Sequence, residues 1–301
     1  EAQAREAEIE LALERVRART MAMQHSDELA DASFILDSQI RSLGIKTRGC
    51  AFNIYGHNES TQWFSSEAGT MPAYKTPREN IFLRYYNAGL TGETIHIEAF
   101  AGEACTAHYN YLCTLPVMGD ALKEMIKNGG AFPERQIDHV VYFKYGYLLF
   151  ITLDTVPASH DIFIRFAKVF EQTYTRFLDL QKAEAQAREA QIEAALERVR
   201  SRSMAMHKSD ELLEAGEILF TEMQKLGIES LTAGYVLLDE EGENGSNYTP
   251  NPLTKKILPL PVIIPHNETV HMKRVVENWK KGNPFFIVEM DEAETIKHQT
   301  F

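Results

Sequence analysis

Apolar residues recur at a spacing of seven along two long polar segments of the chain. Around the second segment, the row consists of Leu178, Ala185, Ile192, Val199 and Met206, with Leu196 beside it. Neither Gly nor Pro interrupts this stretch. A narrow apolar row with charged flanks predicts a long helix and is typical of the dimer seam of a parallel two-stranded coiled coil. The alternative is a solvated single helix supported by ion pairs four residues apart.

The two polar segments are copies of one another. Residues 1–16 read EAQAREAEIELALERV, and residues 184–199 read EAQAREAQIEAALERV. At a constant offset of 183 residues, the match continues to Leu43-Gly44-Ile45 and Leu226-Gly227-Ile228 and then fades. The chain therefore repeats a helical linker followed by a domain. Either the linkers need one geometry while the domains sense different things, or a recent duplication has drifted faster in the domains.

Strand-like and helix-like patterns alternate after the first linker. Strands are predicted at residues 48–55, 61–66, 93–100, 137–145 and 147–153, the last two as a hairpin around Gly146. Helices are predicted at residues 26–43, at 79–88 with Gly89 as the stop, at 103–127 with a break at Pro116, and from 159 without a breaker to 206. Residues 72–77 are expected to be irregular. This order predicts an α+β domain with a central antiparallel sheet and flanking helices.

The second copy repeats only the outline of the first. Residues 231–238 and 284–290 are strand-like, and Pro265 precedes a helical stretch as Pro77 does. Counterparts of the last two strands and the closing helix are missing, so we expect a truncated second domain. The predicted division is an N-terminal linker helix at 1–25, a first domain at 26–180, a coiled-coil linker helix at 181–208 and a second domain at 209–301.

The closing segment of the first domain carries a family resemblance. Residues 161–189, DIFIRFAKVFEQTYTRFLDLQKAEAQARE, resemble the last helix of a GAF domain, a relative of the PAS fold, as it runs into a signalling linker. The LERVRxRxMAM stretches at 13–23 and 196–206 are similar to linkers in Bacteroidetes-type sensor proteins, often histidine kinases. The resemblance implies tandem GAF-like sensory domains that form a parallel homodimer, bind a small molecule and signal to an output domain outside this fragment.

The chain departs from the GAF members with known ligands. Bilin-binding members carry adjacent Cys and His residues, whereas two residues separate Cys105 from His108 here. The NKxxE-type motif of cyclic-nucleotide-binding members is absent. The cofactor, if there is one, is therefore unknown.

Composition narrows the classes of partner. The net charge is −12 and the basic residues are interleaved with acidic ones, which disfavours nucleic acid. No run of about 20 apolar residues is present, so no membrane span is predicted within this fragment. Three cysteines are too few for a disulfide framework, which favours a reducing cytoplasm. The first residue is Glu and not Met, so we expect an excerpt of a longer protein.

His25 is the most tempting candidate for catalysis. The stretch from His25 to Leu29, HSDEL, is similar to the phosphoacceptor box of histidine kinases. However, His25 aligns with Lys208 in the second copy, and His207 aligns with Gln24. A histidine required for chemistry should keep its register, so we expect a surface or structural role. No catalytic residue is predicted, and the fragment itself is not expected to be an enzyme.

Several cysteine, histidine and aromatic residues are candidates for a metal or ligand site, with packing in the core as the alternative. Cys105 and His108 lie one helical turn apart, which could suit a metal or cofactor, but buried packing is the favoured interpretation. His266 and His271 are five residues apart and share no helical face, so no metal site is predicted. Most aromatic side chains of the first domain should be core, and a few should line a pocket. The ligand-binding candidates are Trp63, Tyr74, Tyr86, Cys105, His108 and Tyr109.

Three functions remain open from the sequence. The first is the sensory and dimerisation region of a signal-transduction protein, with a ligand-biased shift between helix arrangements. The second is a GAF-like redox enzyme that uses Cys50, Cys105 or Cys113, a function that the cysteine-free second domain could not share. The third is a structural spacer whose domains bind nothing.

Overall fold

The computed structural model describes residues 2–208, 211–251, 254, 260–266 and 270–299. The chain divides into two compact units, Glu1–Lys182 and Ala183–Phe301, here called unit 1 and unit 2. Each unit begins with its own copy of the repeated linker. Three predicted domain limits, Glu1, Ser209 and Phe301, lie outside the described residues.

Unit 1 is a mixed α/β structure whose helices and strands follow the predicted order closely. Its helices are α1 (Ala2–Met21), α2 (Leu29–Ser42), α3 (Asn80–Leu90), α4 (Glu103–Leu112), α5 (Met118–Lys127) and α6 (His160–Met204), which continues into unit 2. Its strands are β1 (Gly49–Tyr55), β2 (Glu59–Ser66), β3 (Gly69–Thr70), β4 (Tyr74–Pro77), β5 (Ile95–Ala101), β6 (Arg135–Phe143) and β7 (Gly146–Thr152). The uninterrupted last helix and the break at Pro116 are confirmed.

The strands of unit 1 form one antiparallel sheet in the order β3-β2-β1-β7-β6-β5, with β4 also paired to β2. The predicted central antiparallel sheet with flanking helices is confirmed. Side chains alternate along β1, so Phe52 joins a buried cluster that includes residues of α1, α2 and α6, whereas Ala51 joins one that includes residues of α3, α4 and α5. Both faces of the sheet are therefore covered.

Aromatic side chains of α6 hold the first of these clusters together. The ring of Phe170 stacks on Phe52 with centroids 4.0 Å apart, and Phe163 stacks on Phe150 at 4.2 Å. All four side chains are fully buried. The regular spacing of Phe and Tyr along residues 163–177 therefore reflects a helix face that lies against the sheet.

Arginines fix the linker against the following helix in the same way in both copies. The Arg5 guanidinium donates to the carbonyl of Leu43 at 2.6 Å, and Arg188 donates to the equivalent carbonyl of Leu226. These carbonyls follow the last turn of α2 and its counterpart, where helix carbonyls lack partners within the helix. In both copies the following residue, Gly44 or Gly227, has a φ of +76° and ends the helix in the left-handed conformation.

A second pair of arginines lies at the other end of the linker. Arg19 contacts the carboxylates of Glu28 and Asp31, both at 3.0 Å. Arg202 contacts the carboxylates of Glu211 and Glu214 at 3.3 and 2.6 Å. The partners lie at the same offset of 183 residues, so the near-identity of the linkers matches a contact pattern that both units share.

Two local predictions for unit 1 are wrong. Residues 74–77 form β4 because Tyr74 and Thr76 bury their side chains while the backbone pairs with β2. Helix α3 passes through Gly89 and ends at Leu90. Gly89 serves close packing, since a Cβ there would lie 2.9 Å from the ring of Tyr142.

Unit 2 contains helices α7 (Leu212–Lys225), α8 (Val270–Lys280) and α9 (Glu292–Gln299), and strands β8 (Tyr235–Leu238), β9 (Asn244–Tyr248) and β10 (Val262–Pro265). Its strands form an antiparallel sheet in the order β10-β9-β8. No helix in the described part of the chain combines the length and apolar character needed to cross a membrane.

The strand predicted at residues 284–290 is wrong. The described residues of this segment have no regular secondary structure, and Phe285 is 80% exposed. In unit 1 the equivalent strand β5 pairs only with β6. The described part of unit 2 contains no counterpart of β6, so this strand-like stretch has no strand to pair with among the described residues.

The residues of the predicted dimer seam differ in how far they are buried. Leu178 is packed against the core cluster of unit 1, and Ala185 is exposed. Leu196 is exposed, while Ile192, Val199 and Met206 are half-buried. In unit 1 the equivalent row Ile9, Leu13, Val16 and Met23 is buried in the core of that unit. The coiled coil between two chains stays a prediction.

We expect that shortening an aromatic side chain on the stacked face of α6 strongly lowers the stability of unit 1. In a Trp279→Phe background, where Trp63 of the same cluster is the remaining tryptophan, Phe170→Ala should lower the free energy of unfolding of unit 1 by about 3–5 kcal/mol. Urea unfolding followed by Trp63 fluorescence measures this. The matched control Leu180→Ala removes a half-exposed side chain from the same helix and should change stability by less than about 0.5 kcal/mol.

Candidate ligand-binding cavity in unit 1

A cavity of about 300 Å³ lies in unit 1 between the sheet and helices α3, α4 and α5. Strands β2, β6 and β7 provide one wall, and the segment from β3 to β4 provides another. Most of the lining is apolar or aromatic. The apolar lining side chains include Phe64, Met71, Phe82, Leu112, Met118, Leu122, Met125, Leu149 and Ile151. A volume of this size lies at the lower end of the range for small-molecule sites.

A network of buried polar side chains lies at the β6 wall of the cavity. The Asp138 carboxylate accepts hydrogen bonds from the Tyr85 hydroxyl at 2.6 Å and from the Gln136 amide at 2.7 Å. The Gln136 amide oxygen in turn accepts from the Tyr109 hydroxyl. Gln136 and Asp138 share one face of β6 because they are two residues apart. Two strand residues thus connect α3 to α4 through hydrogen bonds.

Burial dominates the electrostatics of this network. It raises the pKa of Asp138 to about 6, while the hydrogen bonds from Tyr85 and Gln136 favour the ionised form and oppose the rise. Burial and the neighbouring Asp138 charge raise the pKa of Tyr85 well above its usual value. Asp138 therefore changes its charge within a mildly acidic range, whereas Tyr85 remains a hydrogen-bond donor.

Further polar groups surround the network. The Gln62 amide donates to the Tyr74 hydroxyl at 2.6 Å. Burial raises the pKa of Tyr109 to about 12, and the nearby positive charge of Arg48 opposes that rise. Arg48 is exposed, lies in the lining and forms no ion pair with any residue that the structure describes. The cavity therefore combines an acidic buried group with a basic group that reaches solvent.

Three of the six predicted ligand-binding residues line this cavity: Tyr74, His108 and Tyr109. Trp63 does not, because its neighbours Gln62 and Phe64 in β2 face the cavity and Trp63 packs in the opposite cluster. Tyr86 lies under the Arg78 guanidinium, 4.0 Å from the ring centroid. Cys105 is buried outside the lining, and its thiol donates to the Pro133 carbonyl at 3.2 Å.

His108 is an aromatic wall residue that is uncharged at neutral pH. Its ring stacks on Phe100 with centroids 4.3 Å apart. Burial, helped by the positive charge of Arg84, lowers the pKa of His108 to about 4. Among the residues that the structure describes, no group of three or more His, Cys, Asp or Glu side chains could hold a metal ion.

Asp138, Gln136 and Tyr85 are central to the cavity, yet the sequence pattern does not single them out as a site. One signal was available. Two of the polar residues in the strand RQIDHVVYF, Gln136 and Asp138, are two positions apart, which places both on one face. Polar side chains that share a buried strand face need hydrogen-bond partners, so such a pair indicates a network or a site. The third partner, Tyr85, is 53 residues away from Asp138 in sequence, and only the fold brings them together.

Comparison with models of known protein families found no match to this chain, and comparison with curated proteins found none either. What the cavity can bind must therefore be inferred from its own geometry and chemistry.

The raised pKa of Asp138 predicts a specific pH dependence of stability. Its pKa in the folded protein, about 6, lies above the ordinary value of 3.8. The associated stability is therefore fully present below pH 3.8 and is lost as pH rises through about 6. Relative to Asp138→Asn, the wild-type protein should lose on the order of 2 kcal/mol between these limits. Urea unfolding at several pH values, followed by fluorescence, measures the difference.

Carboxylates other than Asp138 titrate in both wild type and Asp138→Asn, so their contribution to the pH dependence of stability cancels when the two proteins are compared. Asp179→Asn, at an exposed position on α6, provides the matched control for the chemical change itself. A difference between wild type and Asp138→Asn that stays constant from pH 4 to pH 7 would show that burial does not raise the pKa of Asp138.

Proposed function

We propose that unit 1 binds a small planar molecule in this cavity and that the chain is the sensory and dimerisation region of a larger signal-transduction protein, of the histidine-kinase type that the linkers resemble. The single observation that carries the binding proposal is the Tyr85–Asp138–Gln136–Tyr109 network at the wall of a mostly apolar cavity. The order of helices and strands and the duplicated linker support the proposed sensory role.

The network indicates which chemical groups the molecule carries. An ionised carboxylate can accept about four hydrogen bonds, and Asp138 receives two from the protein. A ligand N–H or O–H group directed at Asp138 would use the remaining capacity. The aromatic lining from Tyr74, Phe82 and His108 suits a flat apolar body. A nitrogen heterocycle with at least one N–H donor is the class that we propose.

Strand β7 links the cavity to α6. Leu149 and Ile151 line the cavity, and Phe150 between them points to the opposite face, where it stacks on Phe163 of α6. A ligand that displaces this strand would therefore act on a helix that leads into the second linker. Signalling requires that the ligand bind one arrangement of α6 more tightly than another.

The cysteine-dependent enzyme receives less support. Burial raises the pKa of Cys105 and raises that of Cys50 well above its usual value. Reactive cysteines need a readily formed thiolate, which such surroundings disfavour. A spacer that binds nothing would need no cavity next to a buried carboxylate, whose desolvation is costly.

Binding is tested with a library of nitrogen heterocycles, read out by thermal shift and native mass spectrometry. At about 100 times its dissociation constant, a ligand should stabilise wild-type protein by about 2.7 kcal/mol. Ala121→Trp fills the cavity from α5 and should abolish the shift. Asp138→Asn should weaken binding by about 1–2 kcal/mol through loss of a charge-assisted hydrogen bond.

The control for these variants is Leu83→Trp, which adds the same side chain at an exposed position on α3 outside the lining. It should retain the full ligand-induced shift. Compounds that stabilise Ala121→Trp as strongly as wild type bind elsewhere, and a library without any ligand specific to the open cavity would count against the proposal.

Transmission from the cavity through β7 to α6 is tested separately by amide hydrogen exchange. A ligand that binds the cavity should slow exchange in residues 162–177 of α6 in wild type and should leave Ala121→Trp unchanged. Protection confined to α3, α4 and β6 would separate binding from signalling and would argue against transmission through Phe150 and Phe163.

A further inference from the structure

Arg48 and Asp138 are the charged residues of the cavity lining within the part of the chain that the structure describes. Asp138 is buried in β6 and accepts hydrogen bonds from Tyr85 and Gln136, whereas Arg48 is exposed. Arg48 forms no ion pair with a described residue, although the chain carries a net charge of −12. A basic group at the edge of the cavity therefore has no acidic partner among the described residues.

The register of the sheet sets the distance between the backbone positions of these two charged residues. Ile151 of β7 pairs with Asp138 of β6 on one side and with Gly49 of β1, the neighbour of Arg48, on the other. Neighbouring strands lie about 4.8 Å apart, so the backbones at Gly49 and Asp138 are about 10 Å apart. The Arg48 backbone N–H also donates to the Ile151 carbonyl at 2.8 Å, which holds Arg48 at this row of the sheet.

Polar side chains connect the two charged residues along one wall of the cavity. The Gln136 amide donates to Asp138 at 2.7 Å, and the Gln136 oxygen accepts from the Tyr109 hydroxyl. Burial raises the pKa of Tyr109 to about 12, and the positive charge of Arg48 opposes that rise, so the guanidinium lies near this hydroxyl. Arg48 and Asp138 are therefore the two ends of one polar row.

The surface between the two charged residues is apolar. Ile151, Leu149 and Phe64 all line the cavity. A Cβ at Gly49 would lie 2.3 Å from the Phe64 ring, so the absence of a side chain there lets this ring lie close to β1. A flat molecule can cover these residues while one of its ends reaches Asp138 and the other reaches Arg48.

We propose that Arg48 binds a carboxylate group of the ligand, so that the ligand is a planar heterocyclic acid with its N–H group at Asp138 and its carboxylate at Arg48. This inference rests on the proposed binding function and names a second recognition group of the same cavity. A guanidinium pairs with a carboxylate through two parallel hydrogen bonds. Repulsion between the ligand carboxylate and ionised Asp138 favours this orientation over the reverse one.

The lining also favours a carboxylate over a phosphate group. A phosphate dianion would need a second basic group for full neutralisation of its charge. Arg48 is the one basic side chain that is charged at neutral pH in the described lining, because burial lowers the pKa of His108 to about 4. A single guanidinium matches the single charge of a carboxylate.

Matched pairs of probes separate the charge of the ligand from its shape. The acids are indole-3-acetate, benzimidazole-5-carboxylate and pterin-6-carboxylate. Each is compared with its primary amide by titration calorimetry on the full chain, at a pH above the pKa of Asp138. At least one acid should bind wild type about five- to tenfold more tightly than its amide, as expected for an exposed ion pair with bidentate geometry.

Variants of Arg48 test whether this preference comes from its charge. Arg48→Gln should reduce the preference to about twofold or less and should leave the affinity for the amide unchanged, which also shows that the cavity is intact. Arg48→Lys should retain part of the preference, since it keeps the charge but loses the bidentate geometry. Arg176→Gln, at an exposed arginine of α6 outside the lining, is the matched control and should retain the full preference.

The outcomes distinguish this inference from the proposed function. Acids that bind wild type no more tightly than their amides, a preference that survives Arg48→Gln, or the absence of binding by any of the acids would overturn the role of Arg48. If the amides bind wild type in these cases and fail to bind Ala121→Trp, the proposed binding function of the cavity is still supported.

Discussion

The aromatic face of α6 is the packing interaction on which unit 1 depends. Phe163 and Phe170 stack on Phe150 and Phe52, so one helix closes one face of the central sheet. Residues of the same helix share one buried cluster with residues of α1 and α2, and Arg165 pairs the helix with the first linker. Burial of large aromatic side chains contributes most of the stabilisation that such a layer can supply.

The opposite face of the sheet obeys a different constraint. Asp138 is buried there, and its two oxygens are satisfied by side chains from a neighbouring helix and from its own strand. Satisfied buried networks make a structure specific, whereas an unpartnered carboxylate would be strongly destabilising. This polar wall beside an apolar cavity is what distinguishes the α3–α5 side of the sheet from the α6 side, and it motivates the proposed ligand class.

The two linkers show that near-identical sequence does not guarantee an identical environment. Contacts made within the linker and the helix that follows recur in both units, as the arginine pairs do. Burial does not recur in the same way, since Leu13 is buried whereas its counterpart Leu196 is 49% exposed. The seven-residue apolar row was predicted to be a dimer seam. In unit 1 the equivalent residues Ile9, Leu13, Val16 and Met23 pack within the core of the unit.

The sequence alone determined the features that local chemistry controls: the repeat, the unbroken α6, the helix end at Gly44 and the succession of strands. Helical propensity, glycine conformations and periodic apolar positions act over a few residues, so one chain suffices to read them. The tertiary structure decided which partners meet over long separations. It made a strand of Tyr74–Pro77 and left residues 284–290 unpaired. It also placed Tyr85 on Asp138 and turned Trp63 away from the cavity, because sheet order and register determine which side chains share a face.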